Sequence, residues 1–497
     1  MLPLLKSTVK SSLIYSLGNI STKIAGFILI PLYTKYLPLS DYGVLGLLEV
    51  TSSAIIVLFG LNLYSAFFRW YYDKDYQDKQ KSLFFTTAVF LSVLSFLLVL
   101  LIYPSAGFFS KLIFDQDRFT DLFNLMLISS AVQVVATVPS TLLRLQERPF
   151  LFIATNIARL VITLALTIYF IAYQKLGLLG LYEAQLIGNI LYLILLLPYM
   201  FRNFEYRFEI MALRDMMFFS FPLILSSLSG IIISFSDRYF LNTLGNLNNS
   251  GLYSFAFKIS NTIYYLVIDS VNLALSPIIF KIMYDKNSLR FYSKILTYLT
   301  FLILLCIMAL SFLGKEILQL ISLRKEYWQA YKILPVLSFA ALFMMLRDSM
   351  IRALNIVKKT RIIGFTIILV SFLNVLLNYT LIPLFQTMGA AIAFLLTQII
   401  SFSGLYYFAQ KFYPIKYENR KIIMMLLLAV CSTAVAFMLN PLPLLPAIIL
   451  KLIILAAFPV ILYFLNFYEP IELQRIREIL LRSFGKEEND KTPVEKI

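Results

Sequence analysis

The chain has 497 residues, of which 60% are hydrophobic and only 14% are charged. Its mean hydropathy of +0.81 exceeds that of soluble globular proteins, so the composition predicts a membrane protein with many spans. The net charge of +16 does not indicate a nucleic-acid-binding protein, because Lys and Arg collect in alternate loops, as the topology of a membrane protein requires.

The hydrophobic segments predict an all-α protein with about fourteen transmembrane helices, since a span needs about 20 mainly apolar residues. The eighth predicted span is long enough to be tilted or broken near Pro277. After Pro470, residues 471–484 are expected to form an amphipathic helix on the membrane surface, and residues 485–497 to be disordered. In chain order, the predicted spans cover residues 11–34, 42–68, 82–106, 120–143, 150–173, 177–201, 216–242, 250–280, 292–313, 329–351, 362–383, 387–410, 421–440 and 444–467.

The distribution of basic residues predicts the orientation of the chain. Most of the 43 Lys and Arg residues lie in the N-terminus, in alternate loops and in the C-terminal tail, which the positive-inside rule places in the cytoplasm. Both termini are therefore expected to be cytoplasmic. The first span is expected to be retained, because no small-residue cleavage site follows a short apolar core.

The two halves of the chain repeat one another at a spacing of about 208 residues. Gly43 aligns with Gly251 and Arg144 aligns with Arg352. Repeated halves around a site near the bilayer midplane are typical of secondary transporters. The predicted organisation is an N-lobe at 1–210, a C-lobe at 211–412, two extra helices at 413–468, and a cytoplasmic helix and tail at 469–497.

The sequence lacks the residues of most enzyme sites. It contains no histidine, no phosphate-binding Gly-x-x-x-x-Gly-Lys-Ser/Thr loop and no cysteine pair with metal-ligand spacing. The outward loops are all short, so a catalytic domain is not expected there. No catalytic residue and no metal site are predicted, although a membrane-embedded transferase or polymerase that uses Asp, Glu or Arg stays as an alternative.

Charged residues inside the predicted spans point to a polar pathway. An ionised group at the bilayer centre costs about 2.5–3.5 kcal/mol on the insertion scale, so it normally faces a wet interior. For Asp237 and Arg238 the alternative is a local charge pair, and Lys451 is interpreted as structural. The charged residues within spans are Lys23, Arg159, Arg238, Lys258, Arg347 and Lys451, with Glu49, Glu183, Asp237, Asp269 and Asp348.

Polar residues at helical spacing indicate three helix faces that border a cavity between the halves. Because Glu49 corresponds to Phe257 or Lys258 across the repeat, we hypothesise that Glu49 and Lys258 pair when the outer side closes and separate when it opens. The faces are Ser12, Ser16, Asn19 and Lys23 in the first span, Ser227, Gly230, Ser234 and Arg238 in the seventh, and Lys258, Asn261, Tyr265, Asp269 and Asn272 in the eighth.

Specific segments resemble a known family. Ser16-Leu-Gly-Asn and the stretch Pro31-Leu-Tyr-Thr-Lys-Tyr-Leu-Pro-Leu-Ser-Asp-Tyr-Gly43 are similar to the opening of bacterial polysaccharide-transport flippases of the Wzx type. These flippases belong to the multidrug/oligosaccharidyl-lipid/polysaccharide exporter (MOP) superfamily. Residues 221–230, 236–241 and 251–258 are similar to the seventh and eighth helices of that family, and the resemblance covers about residues 8–470. It implies two six-helix lobes in a V shape plus two C-terminal helices.

The resemblance also implies a function in the bacterial inner membrane. The cargo would be a polyprenyl-pyrophosphate-linked oligosaccharide, flipped to the outer leaflet by alternating access for O-antigen, lipopolysaccharide or capsule assembly. Membrane lipids, and also a polysaccharide polymerase and a chain-length regulator, are the implied partners. The alternatives are a drug or metabolite antiporter of the same superfamily, a peptidoglycan-precursor flippase, and a membrane-embedded glycan transferase or polymerase.

The residues expected to meet this cargo follow from their charge, because a pyrophosphate in a low-dielectric bilayer needs fixed cations. No cofactor is expected. Coupling to a proton or sodium gradient through Glu49, Asp269 or Glu183 is a further hypothesis. The expected cations are Lys23, Arg159, Arg238 and Lys258, and the polar residues expected to meet the sugar are Ser16, Asn19, Ser234, Asn261, Tyr265 and Asn272.

Overall fold

The structure is a computed structural model that describes residues 28–268, 271, 288–470 and 474. Every regular element in these ranges is helical, which confirms the predicted all-α class. The predictions for the surface helix at 471–484, apart from residue 474, and for the tail at 485–497 lie outside the described residues. The same is true of five predicted site residues, namely Ser16, Asn19, Lys23, Asp269 and Asn272.

From residue 28 to residue 202, the part of the first half that the structure describes contains eight helices, joined by short 3-10 turns and one π-helical turn. The helices are α1 (Ile30–Tyr36), α2 (Leu39–Gly60), α3 (Leu63–Trp70), α4 (Gln80–Ile102), α5 (Ala106–Phe114), α6 (Thr120–Leu145), α7 (Pro149–Ile168) and α8 (Gly177–Arg202).

The second half contributes eight more helices in the described ranges. The π-helical turn Tyr264–Ile268 continues the second of them, and the 3-10 helix Lys325–Lys332 precedes the fifth. The helices are α9 (Ile210–Thr243), α10 (Leu247–Ile263), α11 (Ser288–Phe312), α12 (Gly314–Ile321), α13 (Leu334–Ile356), α14 (Thr360–Phe412), α15 (Asn419–Met438) and α16 (Leu444–Phe464).

Eleven helical segments of the described residues are long and apolar enough to cross a membrane. One of them, α14, has 53 residues and would be about 80 Å long if straight, far more than the roughly 30 Å of the hydrocarbon layer. Gln386 interrupts it with φ 49° and ψ −124°, between the two spans that the sequence predicts at 362–383 and 387–410. A chain of many membrane-spanning helices is thus confirmed, whereas the total of fourteen is not.

The predicted span 42–68 is wrong in one respect, because it is not one continuous helix: α2 ends at Gly60 and α3 begins at Leu63. Leu61 and Asn62 both adopt left-handed backbone conformations, with φ of 46° and 50°, and they separate α2 from α3. Such conformations are costly for residues with a side chain, so neighbouring contacts must hold them. Here the Asn62 side-chain amide donates to Ser227 Oγ at 2.9 Å, and Ser220 Oγ donates to the Asn62 carbonyl at 3.4 Å.

The chain divides into two compact units, Met1–Tyr417 and Glu418–Ile497. The first unit contains both repeated halves, which share one large apolar core around residues such as Leu47, Phe67, Tyr253 and Leu334. The second unit consists of α15 and α16 among its described helices. In that unit Lys451 is fully buried, and its ammonium donates to Asn440 Oδ1 at 2.8 Å.

Candidate functional site

The two halves meet where α2 crosses α10. A Cβ atom on Gly43 would lie 2.1 Å from the Leu247 carbonyl oxygen, and a Cβ atom on Gly251 would lie 2.0 Å from the Leu39 carbonyl oxygen. The two backbones therefore touch, and only glycine permits this approach. The contact is reciprocal between positions 208 residues apart, which is the geometry of two elements related by a pseudo-twofold axis.

Aromatic side chains extend the junction beyond this crossing. Tyr42 of α2, Phe255 of α10 and Tyr327 of the 3-10 helix pack with their ring centroids between 4.8 and 5.7 Å apart. The Tyr327 hydroxyl also donates to the carbonyls of Leu37 at 3.0 Å and Pro38 at 3.2 Å. Because these contacts join the first half to the second, they hold the halves together. They lie at the end of the molecule whose loops carry fewer Lys and Arg residues.

Lys258 and Glu49 form an ion pair across the same junction. Lys258 Nζ lies 3.4 Å from Glu49 Oε1, and the side chains are 29% and 48% exposed. The ammonium also lies 5.7 Å from the centre of the Tyr33 ring. The contact hypothesised from the repeat is present in this conformation. An ion pair this accessible is weak, so it can break when the halves move apart.

Arg238 does not fit its predicted place on a cavity wall. Its side chain is only 4% exposed and lies 3.5 Å from the carboxylate of Asp237. Its guanidinium donates to Ser254 Oγ at 3.2 Å and lies 4.5 Å from the centre of the Phe257 ring. The Tyr253 hydroxyl donates to the same carboxylate. A buried charge needs this compensation, so Arg238 is here a structural cation, as the local-pair alternative proposed.

The other predicted polar residues fall into different surroundings. Asn261 is buried at 5% exposure and does not border open space in this conformation. The Ser234 carbonyl accepts a hydrogen bond from Arg238 at 3.1 Å, and Tyr265 is 37% exposed. Glu183 is half-buried and makes no ion pair with any residue in the described ranges. These residues do not form one continuous polar surface with Lys258.

Arg159 borders a separate cavity of about 450 Å³ within the first half. Its guanidinium lies 5.4 Å from the centre of the Tyr192 ring. Across residues 28–268 and 288–470 it has neither an ion-pair partner nor a hydrogen-bond partner. The cavity is lined by α6, α7 and α8 through Gln133, Asn156, Arg159, Leu160, Thr163, Gln185 and Asn189.

Sequence reasoning identified Arg159 but missed the polar residues around it. Asn156, Arg159 and Thr163 follow one another by three and four residues on α7, and Gln185 and Asn189 lie four residues apart on α8. These spacings place each set on one helix face, so the same test that found the other polar faces would have found these two.

A second missed cluster connects α9 with both parts of α14. Ser236 Oγ lies 2.7 Å from Asn374 Oδ1, and the Asn378 amide donates to Ser236 Oγ at 3.0 Å. The Asn374 amide donates to Thr397 Oγ1 at 3.0 Å. All four side chains are neutral, so this cluster pairs helices by hydrogen bonds without a net charge.

Comparisons with known proteins agree with this architecture. The solved structure of the lipid II flippase MurJ in an inward closed conformation superposes with a TM-score of 0.68, at 15% identity over 91% of this chain and 99% of that chain. A multidrug resistance MATE family transporter of the MOP superfamily, in an inward-facing conformation, gives a TM-score of 0.62 at 14% identity, over 79% of this chain and 95% of that chain. At these identities the likeness shows the fold alone.

A eukaryotic MATE transporter, AtDTX14, gives a TM-score of 0.61 at 16% identity, over 84% of this chain and 99% of that chain. No curated protein matches the sequence. The family model described as polysaccharide biosynthesis protein matches residues 8–283, which is more than half of the chain. We conclude that the chain belongs to the polysaccharide biosynthesis protein family.

Proposed function

We propose that this protein flips a polyprenyl-pyrophosphate-linked oligosaccharide between the leaflets of a bacterial inner membrane by alternating access. The family supports a role in polysaccharide assembly, and the fold supports transport. The observation that carries the proposal is the closed junction between the halves, where backbones touch at Gly43 and Gly251 and one accessible ion pair spans the gap. In this proposal both termini lie in the cytoplasm, which the distribution of Lys and Arg favours.

In the proposed cycle, the Lys258–Glu49 ion pair controls when the positive charge of Lys258 is available to the cargo. While the junction is closed, Glu49 neutralises the Lys258 ammonium. When the halves separate, Lys258 is left as a cation beside the opening, where it attracts the pyrophosphate of the cargo. The polyprenyl tail stays in hydrocarbon throughout, so only the polar head group needs a protein-lined path.

We further propose that a proton helps the junction to open. Protonation of Glu49 removes the charge that holds Lys258, and Glu49 is exposed enough to exchange a proton with water. Under this scheme, an imposed proton gradient accelerates flipping, and Glu49→Gln makes the rate independent of the gradient. Equal flipping rates with and without a proton gradient in the wild-type protein would remove the coupling but not the transport.

The direct test is reconstitution of the full-length protein in liposomes with a fluorescent lipid-linked oligosaccharide, with access to each leaflet followed by a membrane-impermeant quencher. We expect flipping by the wild type and a loss of at least about tenfold in Lys258→Gln, because the cation is removed. Lys111→Gln is the matched control, since Lys111 is an exposed lysine on α5 that makes no ion pair with any described residue. No flipping by the wild type of any lipid-linked oligosaccharide from its own host would refute the proposal.

The MATE structural matches support a second candidate, a cation-coupled antiporter for drugs or metabolites. This alternative predicts export of cationic dyes from cells that express the protein, without any change in lipid-linked glycans. The proposed flippase predicts the opposite result, in which deletion leaves the lipid-linked oligosaccharide on the cytoplasmic leaflet and dye export is unchanged.

A further inference from the structure

The cavity around Arg159 lies among α6, α7 and α8 of the first half of the chain. Arg159 is ten residues after the first residue of α7, which corresponds to about 15 Å along the helix axis. This distance is about half of the roughly 30 Å hydrocarbon thickness, so Arg159 lies near the middle of a helical segment long enough to span a bilayer. A volume of about 450 Å³ is in the range of pockets that bind small organic molecules.

Arg159 carries a charge that the described protein does not neutralise. It is half-buried, and its guanidinium lies 5.4 Å from the centre of the Tyr192 ring. Arg238 of the second half is by contrast paired with Asp237. A cation in the middle of a membrane span is expensive unless it meets an anion or water. The arrangement therefore leaves Arg159 available to an anion that enters the cavity.

The rest of the cavity wall is neutral and rich in carboxamides. Gln133, Gln185 and Thr163 make no side-chain hydrogen bond to any other described residue. Asn156 and Asn189 use part of their capacity, donating to the Phe152 carbonyl at 2.7 Å and to Ser129 Oγ at 2.8 Å. Each carboxamide offers both N–H donors and a carbonyl acceptor, so the wall can satisfy a ligand that also has both.

This chemistry separates two classes of anion. Phosphate and pyrophosphate oxygens that are ionised only accept hydrogen bonds, so the four carboxamide carbonyls would face them without a donor. They also carry more than one negative charge, against a single cation. A sugar carboxylate carries one charge, and its hydroxyl groups both donate and accept. The wall therefore matches a carboxylated sugar better than a phosphate.

We infer that the cavity formed by Gln133, Asn156, Arg159, Thr163, Gln185 and Asn189 binds a carboxylate-bearing sugar of the cargo. This inference rests on the proposed function for the identity of the cargo, and it assigns Arg159 to the saccharide instead of the pyrophosphate. Arg159 pairs with the carboxylate, and the carboxamides hydrogen-bond to the hydroxyl groups. The cavity thereby selects oligosaccharides that contain an acidic residue.

The test measures binding of free sugars to the purified full-length protein in nanodiscs, by isothermal titration. We expect D-glucuronate to bind at least about tenfold more tightly than D-glucose, because a hydrogen-bonded ion pair forms with Arg159. Arg159→Gln should abolish this preference, whereas Arg159→Lys should keep part of it. Gln185→Leu should weaken the binding of both sugars. Arg202→Gln, at an exposed arginine of α8 outside this cavity, should bind both sugars as the wild type does.

Three results would overturn the inference: tighter binding of inorganic pyrophosphate than of glucuronate, glucuronate binding that Arg159→Gln does not change, or no binding of glucuronate. Ligand-free melting curves of each variant show whether it folds, and Arg159→Lys keeps the charge if Arg159→Gln does not fold. Since no lipid-linked cargo is present, sugar binding can succeed or fail independently of the flipping assay.

Discussion

Arg238 and Lys258 lie on neighbouring helices of the same half, yet their surroundings give them different roles. Arg238 is packed among Phe235, Tyr253 and Phe257 and is paired with Asp237. Lys258 is more exposed, and its partner Glu49 comes from the other half. A buried pair is costly to break, whereas an accessible pair is not, so only the second suits a contact that forms and breaks in each cycle.

This contrast predicts different costs of removing each carboxylate. Asp237→Asn leaves Arg238 as a buried, unpaired charge and should lower the free energy of unfolding by about 3–5 kcal/mol. Glu49→Gln should lower it by about 0–1 kcal/mol. Thermal and denaturant unfolding of both variants in the same detergent would measure the difference. Equal destabilisation by the two substitutions would contradict these roles.

The sequence predicted the candidate site in part, and the reason differs by residue. The repeat alignment matched Glu49 with Phe257 or Lys258, and the structure brings Glu49 to Lys258. The apolar context identified Arg159 and Lys451 as unusual. Helical spacing placed Arg238 on a polar face, but spacing does not show that Phe257 and Ser254 of a neighbouring helix cover that face. The burial of Arg238 depends on packing between helices, and the spacing of polar residues along one helix gives no information about that packing.

At the scale of the elements, the α2–α10 crossing depends on the small size of a few residues. Besides Gly43 and Gly251, a Cβ atom on Gly46 would lie 2.2 Å from Ser254 Oγ, so the close approach continues along the crossing. The break between α2 and α3 at Leu61 and Asn62 then lets the chain change direction beside α9. These two features place Glu49 opposite Lys258.

A methyl group at the crossing should therefore favour separation of the halves. Gly251→Ala would bring a Cβ atom to 2.0 Å from the Leu39 carbonyl oxygen, which the closed junction does not allow. Spin labels at positions 35 and 324, whose residues lie in contact across the junction, should report a longer distance in this variant than in the wild type. Labelling requires that Cys306 and Cys431 first be replaced by Ser.

Gly364→Ala is the control, because a Cβ atom there meets nothing within 4 Å. It should leave the distance between the labels unchanged. A wild-type distance in Gly251→Ala would show that the junction accommodates the methyl group and would refute the tight crossing.

The buried amide at the α2–α3 break provides another prediction for this element. Asn62→Ala removes the hydrogen bond to Ser227 and places Ala in a left-handed conformation, so we expect a loss of about 1–2 kcal/mol in the free energy of unfolding. Ser227→Ala should lower the free energy of unfolding by less, because it removes the same hydrogen bond but keeps Asn62 in the left-handed position. A double-mutant cycle on the two positions would measure their coupling; additive effects would show that the hydrogen bond does not hold the break.

At the scale of the whole molecule, the hydrophobic pattern was sufficient to predict the class of fold. Solved structures with only 14–16% identity share the architecture, since long apolar segments and their loops determine where the helices lie. The hydrophobic pattern did not show the break at Leu61 and Asn62, because neither residue is a glycine or a proline. Nor did it locate the cavity of Arg159, which forms only when three helices pack together.

The structure has the halves closed at the end with few basic loops, so fixing this contact should stop the cycle. A cleavable thiol-specific crosslinker joining Lys35→Cys to Arg324→Cys, in a chain without the native cysteines, should abolish flipping, and a reducing agent should restore it. Each single-cysteine variant treated in the same way is the control and should retain flipping. Undiminished flipping by the crosslinked double variant would show that this end need not open.

The touching backbones at Gly43 and Gly251 have a consequence for the energy of the cycle. Glycines have no side-chain rotamers to immobilise. The contact at Gly43 and Gly251 can therefore form and break without a loss of side-chain conformational entropy at these two positions. This contact does not involve the residues that line the Arg159 cavity. Under the proposed function, substitutions in the Arg159 cavity should therefore change which cargo binds without changing the backbone contact at Gly43 and Gly251.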